Sequence, residues 1–263
     1  MNDVQDIEEI EVIVDPEMIN DAYLPIFEDD TPTLIMFGGS SSGKSKAYSQ
    51  KVVLDVSNGG RNYLICRATA NTISTSIRNE IVKSIKEFGL EDEFNIPKSD
   101  FTITCSNGYQ ILFAGLDDVE KLKSITPALG VVTDIGIEEA TETEYSDVKQ
   151  LEKRLRGGVE GIVKKLTLLF NPILKTHWIY ERYFATAEWS DSQTELRTPN
   201  LYILKTTYKD NKFLTKQDIS RLENEDDAYY YNVYTLGNWG VLGNIIFTKW
   251  KVADLDDPSD PYY

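Results

Sequence analysis

Apolar and polar positions along the chain fall into short blocks that alternate between two periods. Residues 33–37 form an apolar-rich run ending in Gly38-Gly39, the pattern of a buried strand entering a tight turn. Residues 44–57 follow as a predicted helix, stopped by Asn58-Gly59-Gly60. Residues 62–67 predict a second strand. Residues 71–89 carry Ile73, Ile77, Ile81 and Ile85 at a spacing of four, one helical face turned to a core. Residues 101–105 and 110–114 flank Ser106-Asn107-Gly108 and predict a hairpin. Strands are expected over 130–137, over 163–170 with Asn171-Pro172 as its stop, and over 201–206. A helix is expected over 146–156, ended by Gly157-Gly158. Strands alternating with helices imply an α/β layer structure around a mainly parallel sheet.

Composition narrows this picture. The 263 residues fit one large domain, or one with a small appendage, and 41% hydrophobic with 27% charged is ordinary globular material. No apolar run of about 18 residues occurs, and the N-terminus lacks the basic start and apolar stretch of a signal peptide. Cys66 and Cys105 stand far apart without a CxxC pattern, and a single histidine, His177, argues against a His-based zinc site. The net charge of −16 at first speaks against a nucleic-acid partner, yet it is unevenly spread. Residues 1–30 hold 11 acids and no base, an acidic arm with a possible extended piece over 10–14. Residues 221–263 add 8 acids against 3 bases, while 31–220 is neutral with 24 of each. Within it, 149–216 leans positive, with 13 bases to 7 acids. The acidity therefore predicts weak DNA affinity for this fragment alone, not the absence of a DNA partner.

The chemistry is carried by Gly38-Gly39-Ser40-Ser41-Ser42-Gly43-Lys44-Ser45, which matches GxxxxGK[ST] between a predicted strand and a predicted helix. Glycines let the loop curl so that backbone N–H groups face phosphate oxygens, and the helix N-terminus adds its positive end. Lys44 then bridges the β- and γ-phosphates and the Ser45 hydroxyl binds Mg²⁺. The plain alternative is a flexible Ser/Gly loop that happens to contain lysine. An acidic pair ends the strand of residues 130–137: Glu138 is expected near Mg²⁺ and Glu139 as the base for the attacking water. Asp134 is the rival metal acid, disfavoured because more strand follows it, and the bland reading of Glu138-Glu139 is a solvated helix start. Arg154, Arg156, Lys121 and Lys123 are candidates for transition-state charge, in cis or from a neighbouring subunit, against a solvated basic face. Asn171 is a candidate γ-phosphate sensor, or only the end of a strand.

These motifs, in this order, resemble the ATPase portion of the large terminase subunit of tailed bacteriophages, over about 19–247. The resemblance rests on the phosphate loop, on Arg67-Ala68-Thr69 after the second strand, on Ile111–Asp117 with Lys121–Ser124, and on Ile137-Glu138-Glu139-Ala140. It continues through the Arg-containing stretch 151–156, Asn171-Pro172 with His177-Trp178, Thr207–Asn211 and Gly237-Asn238-Trp239-Gly240. It implies a P-loop NTPase of the ASCE, RecA-like type: a three-layer sandwich on a mainly parallel sheet, with a small C-terminal lid. The implied layout is an acidic arm and adenine-side segment over 1–30, the ATPase core over 31–205, a lid over 206–250, and a linker over 251–263 towards a nuclease domain absent from the chain. The crowded Asp254, Asp256, Asp257 and Asp260 look like linker, not that nuclease's metal cluster.

The implied activity is Mg²⁺-dependent ATP hydrolysis that drives double-stranded viral DNA into a prohead. The implied partners are DNA, portal protein, small terminase subunit and copies of itself in a ring, with no membrane, in the host cell cytoplasm. Implied catalytic residues are Glu139, Lys44, Arg156, Arg154 and Asn171. ATP is expected on Gly38, Gly39, Ser40, Ser41, Ser42, Gly43, Lys44, Ser45 and Arg67, and the metal on Ser45 and Glu138. Arg67 either lines the nucleotide mouth or pairs an acid. Tyr23, Leu24 and Pro25 are adenine-side candidates, and Tyr229, Tyr230, Tyr231 and Tyr234 are expected to pack the lid on the core, with a face towards an adjacent subunit as the alternative. Ser40 stands where many family members have arginine, so charge stabilisation shifts to Arg154, Arg156 or a residue in trans. The alternatives are a P-loop nucleotide kinase and a non-hydrolysing ATP-binding assembly module.

Overall fold

The computed structural model describes residues 14–73, 76–98, 102–118, 122 and 124–241. The expected arm up to residue 13, Lys121, Lys123 and everything from 242 onward lie outside the described residues.

Nine strands form one sheet. They are β1 (Thr33–Gly38), β2 (Tyr63–Arg67), β3 (Phe94–Asn95), β4 (Thr102–Cys105), β5 (Gln110–Gly115), β6 (Asp134–Glu138), β7 (Lys165–Phe170), β8 (Glu195–Arg197) and β9 (Leu201–Thr206). Their order is β3-β4-β5-β2-β6-β7-β1-β9-β8, with the six strands from β5 to β9 parallel and the edge pairings β3–β4, β4–β5 and β8–β9 antiparallel. The central strands read as unbroken apolar runs because both faces are covered. Leu34 and Met36 of β1 point to one layer, with Val52, Val53 and Val56 of helix α2 (Lys44–Ser57) and the isoleucine stripe. Ile35 and Phe37 point to the other, with Val148 and Leu151 of the helix Tyr145–Glu152 and with Phe184, Trp189 and Trp239. The sequence expectation of a three-layer α/β sandwich therefore holds.

Ile73, Ile77, Ile81 and Ile85 are all fully buried, each burial contributing roughly 1.5–3 kcal/mol. Their helix is divided, with Ala70–Ile73 as one piece and Ile77–Glu87 as the next. The other expected elements are trimmed. The strand placed over 130–137 starts only at Asp134, because residues 131–133 tie to Asn62: its side-chain amide donates to the Leu129 and Val131 carbonyls, and its backbone N–H to Thr133 Oγ1. The helix expected to reach 156 stops at Glu152. Edge strands β3 and β8 and the π-helical turn Tyr180–Ala185 have too short or irregular a pattern to be read from periodicity.

Strand β7 lies between β1 and β6. That insertion separates the phosphate-loop strand from the acidic strand by two strand spacings, about 9.6 Å, and puts the end of β7 between them. The three strand ends meet at one edge of the sheet, where open parallel sheets bind ligands.

Candidate nucleotide-binding and catalytic site

Beyond β1 the chain turns through a loop that only glycine permits at two places. A Cβ on Gly38, at φ +140°, would lie 1.8 Å from the Thr206 carbonyl oxygen, and Gly43 sits at φ +89° just before α2. The loop is braced from behind. Gly39 N–H donates to Thr206 O at 2.9 Å and Ser40 N–H to Tyr234 O at 2.6 Å. These two N–H groups are therefore held by the protein, which corrects the expectation that Gly39 and Ser40 turn theirs to phosphate. The unpaired N–H groups of the first turn of α2 remain for an anion.

Tyr23 is also a brace. Its hydroxyl lies 3.0 Å from Ser42 O and 2.7 Å from Thr206 Oγ1, and its ring is wholly buried. Burial pushes its phenol well above the ordinary value, so it stays neutral. This corrects the adenine-side reading of Tyr23: a buried ring behind the loop cannot stack on a base. Leu24, its neighbour, is exposed. Two residues given no site role from the sequence, Asn20 and Asn211, join side chain to side chain at 3.2 Å, and Asn211 donates to Ser41 O at 2.8 Å. No local signal marks Asn20, whereas Asn211 closes the Thr207–Asn211 stretch that carries part of the family resemblance.

A cleft of about 300 Å³ opens on the loop's outer side, lined by Ser40 to Lys46, Glu80, Glu138, Glu139 and Leu169 to Asn171. Lys44 is buried, its ammonium donating to Gly39 O at 2.8 Å and Ser42 Oγ at 3.2 Å. Burial lowers it to about 8, with Glu139 and Glu138 pulling the other way. Asn171 Nδ2 donates to Gly38 O at 2.7 Å, so the end of β7 is tied to the loop. Opposite stand the two glutamates. Burial raises Glu138 to about 7 against the pull of Arg67, and Glu139 is raised by the same cause. Arg67 Nε lies 3.2 Å from Glu138 Oε2, yet neither atom has the alignment of a hydrogen bond, and both are buried. Of the two readings open for Arg67, the structure gives the pairing with an acid. Glu139 adopts φ +52°, ψ +49°, a left-handed conformation costing roughly 1–2 kcal/mol for a residue with a Cβ.

The donors suit Mg²⁺. That ion takes hard oxygens, usually one or two carboxylates with substrate phosphates. Glu138 Oε2 is a buried oxygen without a hydrogen bond, and Ser45 lines the same cleft. The rival acid Asp134 belongs to the far end of β6, where both its oxygens accept from Arg61 at 3.1 and 3.0 Å.

The arginines are not brought to the cleft. Arg154 donates to the Ile125 carbonyl, and the Arg156 guanidinium to the Lys153 carbonyl. Lys164 donates to both Arg156 O and Val132 O, which fixes residue 156 beside the starts of β6 and β7, the edge opposite the cleft. A cis role for Arg156 is corrected by this geometry. The tyrosines divide: Tyr229 donates to Ile173 O at 2.9 Å and so fastens its segment to the core, while Tyr230 stacks on Tyr234 and is exposed.

Comparison with known proteins follows this geometry. The family model described as phage terminase large subunit matches residues 31–238. The PBSX phage terminase large subunit of Bacillus subtilis (strain 168) is 28% identical over 248 residues, covering 88% of this chain and 56% of that relative. The terminase large subunit of Bacillus phage SPP1 is 26% identical over 197 residues, 72% of this chain and 44% of that relative. Among solved structures, the large terminase of the thermophilic bacteriophage D6E in complex with ADP is similar in fold. It has a TM-score of 0.66 at 20% identity, over 84% of this chain and 53% of that one. The chain thus spans about half the length of the relatives it matches.

Proposed function

This chain belongs to the phage terminase large subunit family, and from that premise we propose that it is the ATP-hydrolysing part of a motor that drives double-stranded viral DNA into a prohead. The observation that supports this best is the cleft itself: a buried lysine on a glycine loop faces the buried Glu138 and the half-buried Glu139, and one Glu138 oxygen has an ion-pair partner but no hydrogen bond. ATP binds with its phosphates over Ser42 to Ser45, Lys44 bridging the β- and γ-phosphates. Mg²⁺, held by Ser45 and Glu138, supplies charge neutralisation of those phosphates. Glu139 accepts the proton of the attacking water; the oxygen bonds to the γ-phosphorus, the bond to the β-phosphate oxygen breaks, and ADP and phosphate leave. A raised carboxyl suits a general base, since its proton affinity approaches that of the medium. Asn171, on the Gly38 carbonyl, reports whether the γ-phosphate is present.

In this reading residues 206–250 work as the lid, because in its described part, up to residue 241, Thr206 and Tyr234 hold the loop's backbone while Trp239 is buried in the core. The residue that meets the γ-phosphate charge comes from a neighbouring copy in a ring, since Arg154 and Arg156 face away. Portal protein and small terminase subunit are the docking partners, DNA affinity of this part alone is weak, and the work is done in the host cytoplasm. No helix among the described residues is long and apolar enough to cross a membrane. The test is Mg²⁺-dependent release of free phosphate from ATP, with DNA and portal present. Lys44→Ala and Glu139→Gln abolish it. A phosphorylated acceptor in place of free phosphate makes the chain a kinase, and nucleotide binding without turnover makes it an assembly module.

A further inference from the structure

Residues 171–178 touch both sides of the cleft. At one end Asn171 holds Gly38 O. At the other, the Trp178 indole Nε1 donates to Thr143 O at 2.7 Å. The Ile179 backbone N–H donates to His177 Nδ1 at 3.3 Å, and the His177 ring lies 5.6 Å from that of Trp178. The anchored carbonyl, on Thr143, closes the turn that follows Glu139. That turn is Ala140–Glu142, closed by Glu142 N–H on Glu139 O at 2.8 Å and Thr143 N–H on Ala140 O at 3.2 Å.

Glu139 is left-handed, and such a conformation persists in a residue with a Cβ only where its surroundings impose it. The bonds within the turn fix its shape but not its place relative to the loop. Buried Ala140 holds one side of it. The only side chain bonded to a carbonyl of the turn or its cap from a distant segment, among the described residues, is Trp178. We propose that Trp178 is a positioning residue that holds the turn after Glu139 and thereby aims the Glu139 carboxylate into the cleft. This rests on the reading of Glu139 as the base of an ATPase.

Trp178→Phe keeps an aromatic ring against Tyr145, 5.3 Å away, and removes only the N–H donor. Amide hydrogen exchange at 141–143 then accelerates by about tenfold, with exchange in β6 and α2 unchanged. In the phosphate-release assay kcat falls by about tenfold while KM for ATP stays within about twofold. Unchanged exchange in the turn overturns the clamp. A loosened turn with unchanged kcat, or a KM that rises in step with the loss, overturns its role in aiming Glu139. Absence of turnover in the wild-type chain overturns the ATPase reading, while the exchange comparison still decides the clamp.

Discussion

Strand β6 starts at Asp134 and ends at Glu138, and these two buried carboxylates show how differently one sheet treats its two edges. At the starting edge, demand is met. Arg61 donates to both Asp134 oxygens, Lys165 pairs Asp29 at 2.7 Å with side chains 2% and 3% exposed, and Asn62 stitches β2 to its neighbours. At the finishing edge, demand is left open. Glu138 Oε2 and Arg67 Nε face each other at 3.2 Å without the alignment of a hydrogen bond, Lys44 is folded back on its own loop, and Glu139 is strained. Buried charges whose hydrogen bonding is incomplete are costly, so a fold retains them where a ligand completes them. One edge is foundation; the other holds its groups ready for phosphate and cation.

This contrast can be broken most sharply at Glu139. Glu139→Gln lowers the rate of phosphate release by about 10²–10⁴-fold, the range for a lost general base, with unfolding free energy unchanged or higher. A variant that hydrolyses normally, or that unfolds easily, removes the distinction between the edges. At the foundation edge the expectation reverses. Asp134→Ala takes from the partly buried Arg61 its bidentate partner and costs about 1–3 kcal/mol in urea unfolding, with nucleotide affinity of the folded fraction preserved.

A finer measurement uses pH. Glu138 is raised from 4.5 to about 7 by burial, so in the folded chain without nucleotide its proton is retained where the unfolded chain has lost it. The folded state then binds more protons, and stability falls as pH rises across that window. Glu138→Gln removes the titration. Denaturation of the two proteins between pH 4.5 and 7 should therefore show a gap that widens in the variant's favour as pH rises. A gap that narrows contradicts the burial of an unmet carboxylate. The smallest effect is expected at Arg156→Ala. Its charge lies across the sheet from the cleft, and screened charges at that range change a monomer's nucleotide affinity by less than about twofold. A large loss would return Arg156 to the site in cis.

Much of the site was legible because it is local. The glycine loop and the Glu138-Glu139 pair are each contiguous, and the elements flanking them carry clear periods. Asn171 was legible as a strand end. What escaped reading joins residues far apart: Tyr23 with Thr206, Asn20 with Asn211, and which acid Arg67 pairs, Glu138. Arg156 is different, since its misplacement was avoidable. Helices of a parallel α/β sheet run against the strands, so a residue between a helix and the next strand lies at the strands' starting edge. Arg156 occupies such a connection, between the helix Tyr145–Glu152 and β7, and topology alone could have put it opposite the cleft.

By itself, then, the sequence determined the alternating layers, the phosphate loop, the acidic pair and the family. Each is written in spacing that a single strand or turn must obey, and steric rules on φ and on side-chain alternation act within a few residues. The tertiary structure alone decided which groups at those positions are satisfied. It turned Tyr23 from a base platform into a brace, gave Arg67 to Glu138, bound two loop N–H groups from behind, and set Trp178 on the turn after Glu139. Those outcomes depend on contacts between segments that only the closed sheet brings together, because a hydrogen bond or an ion pair is made by distance in space and not by separation along the chain.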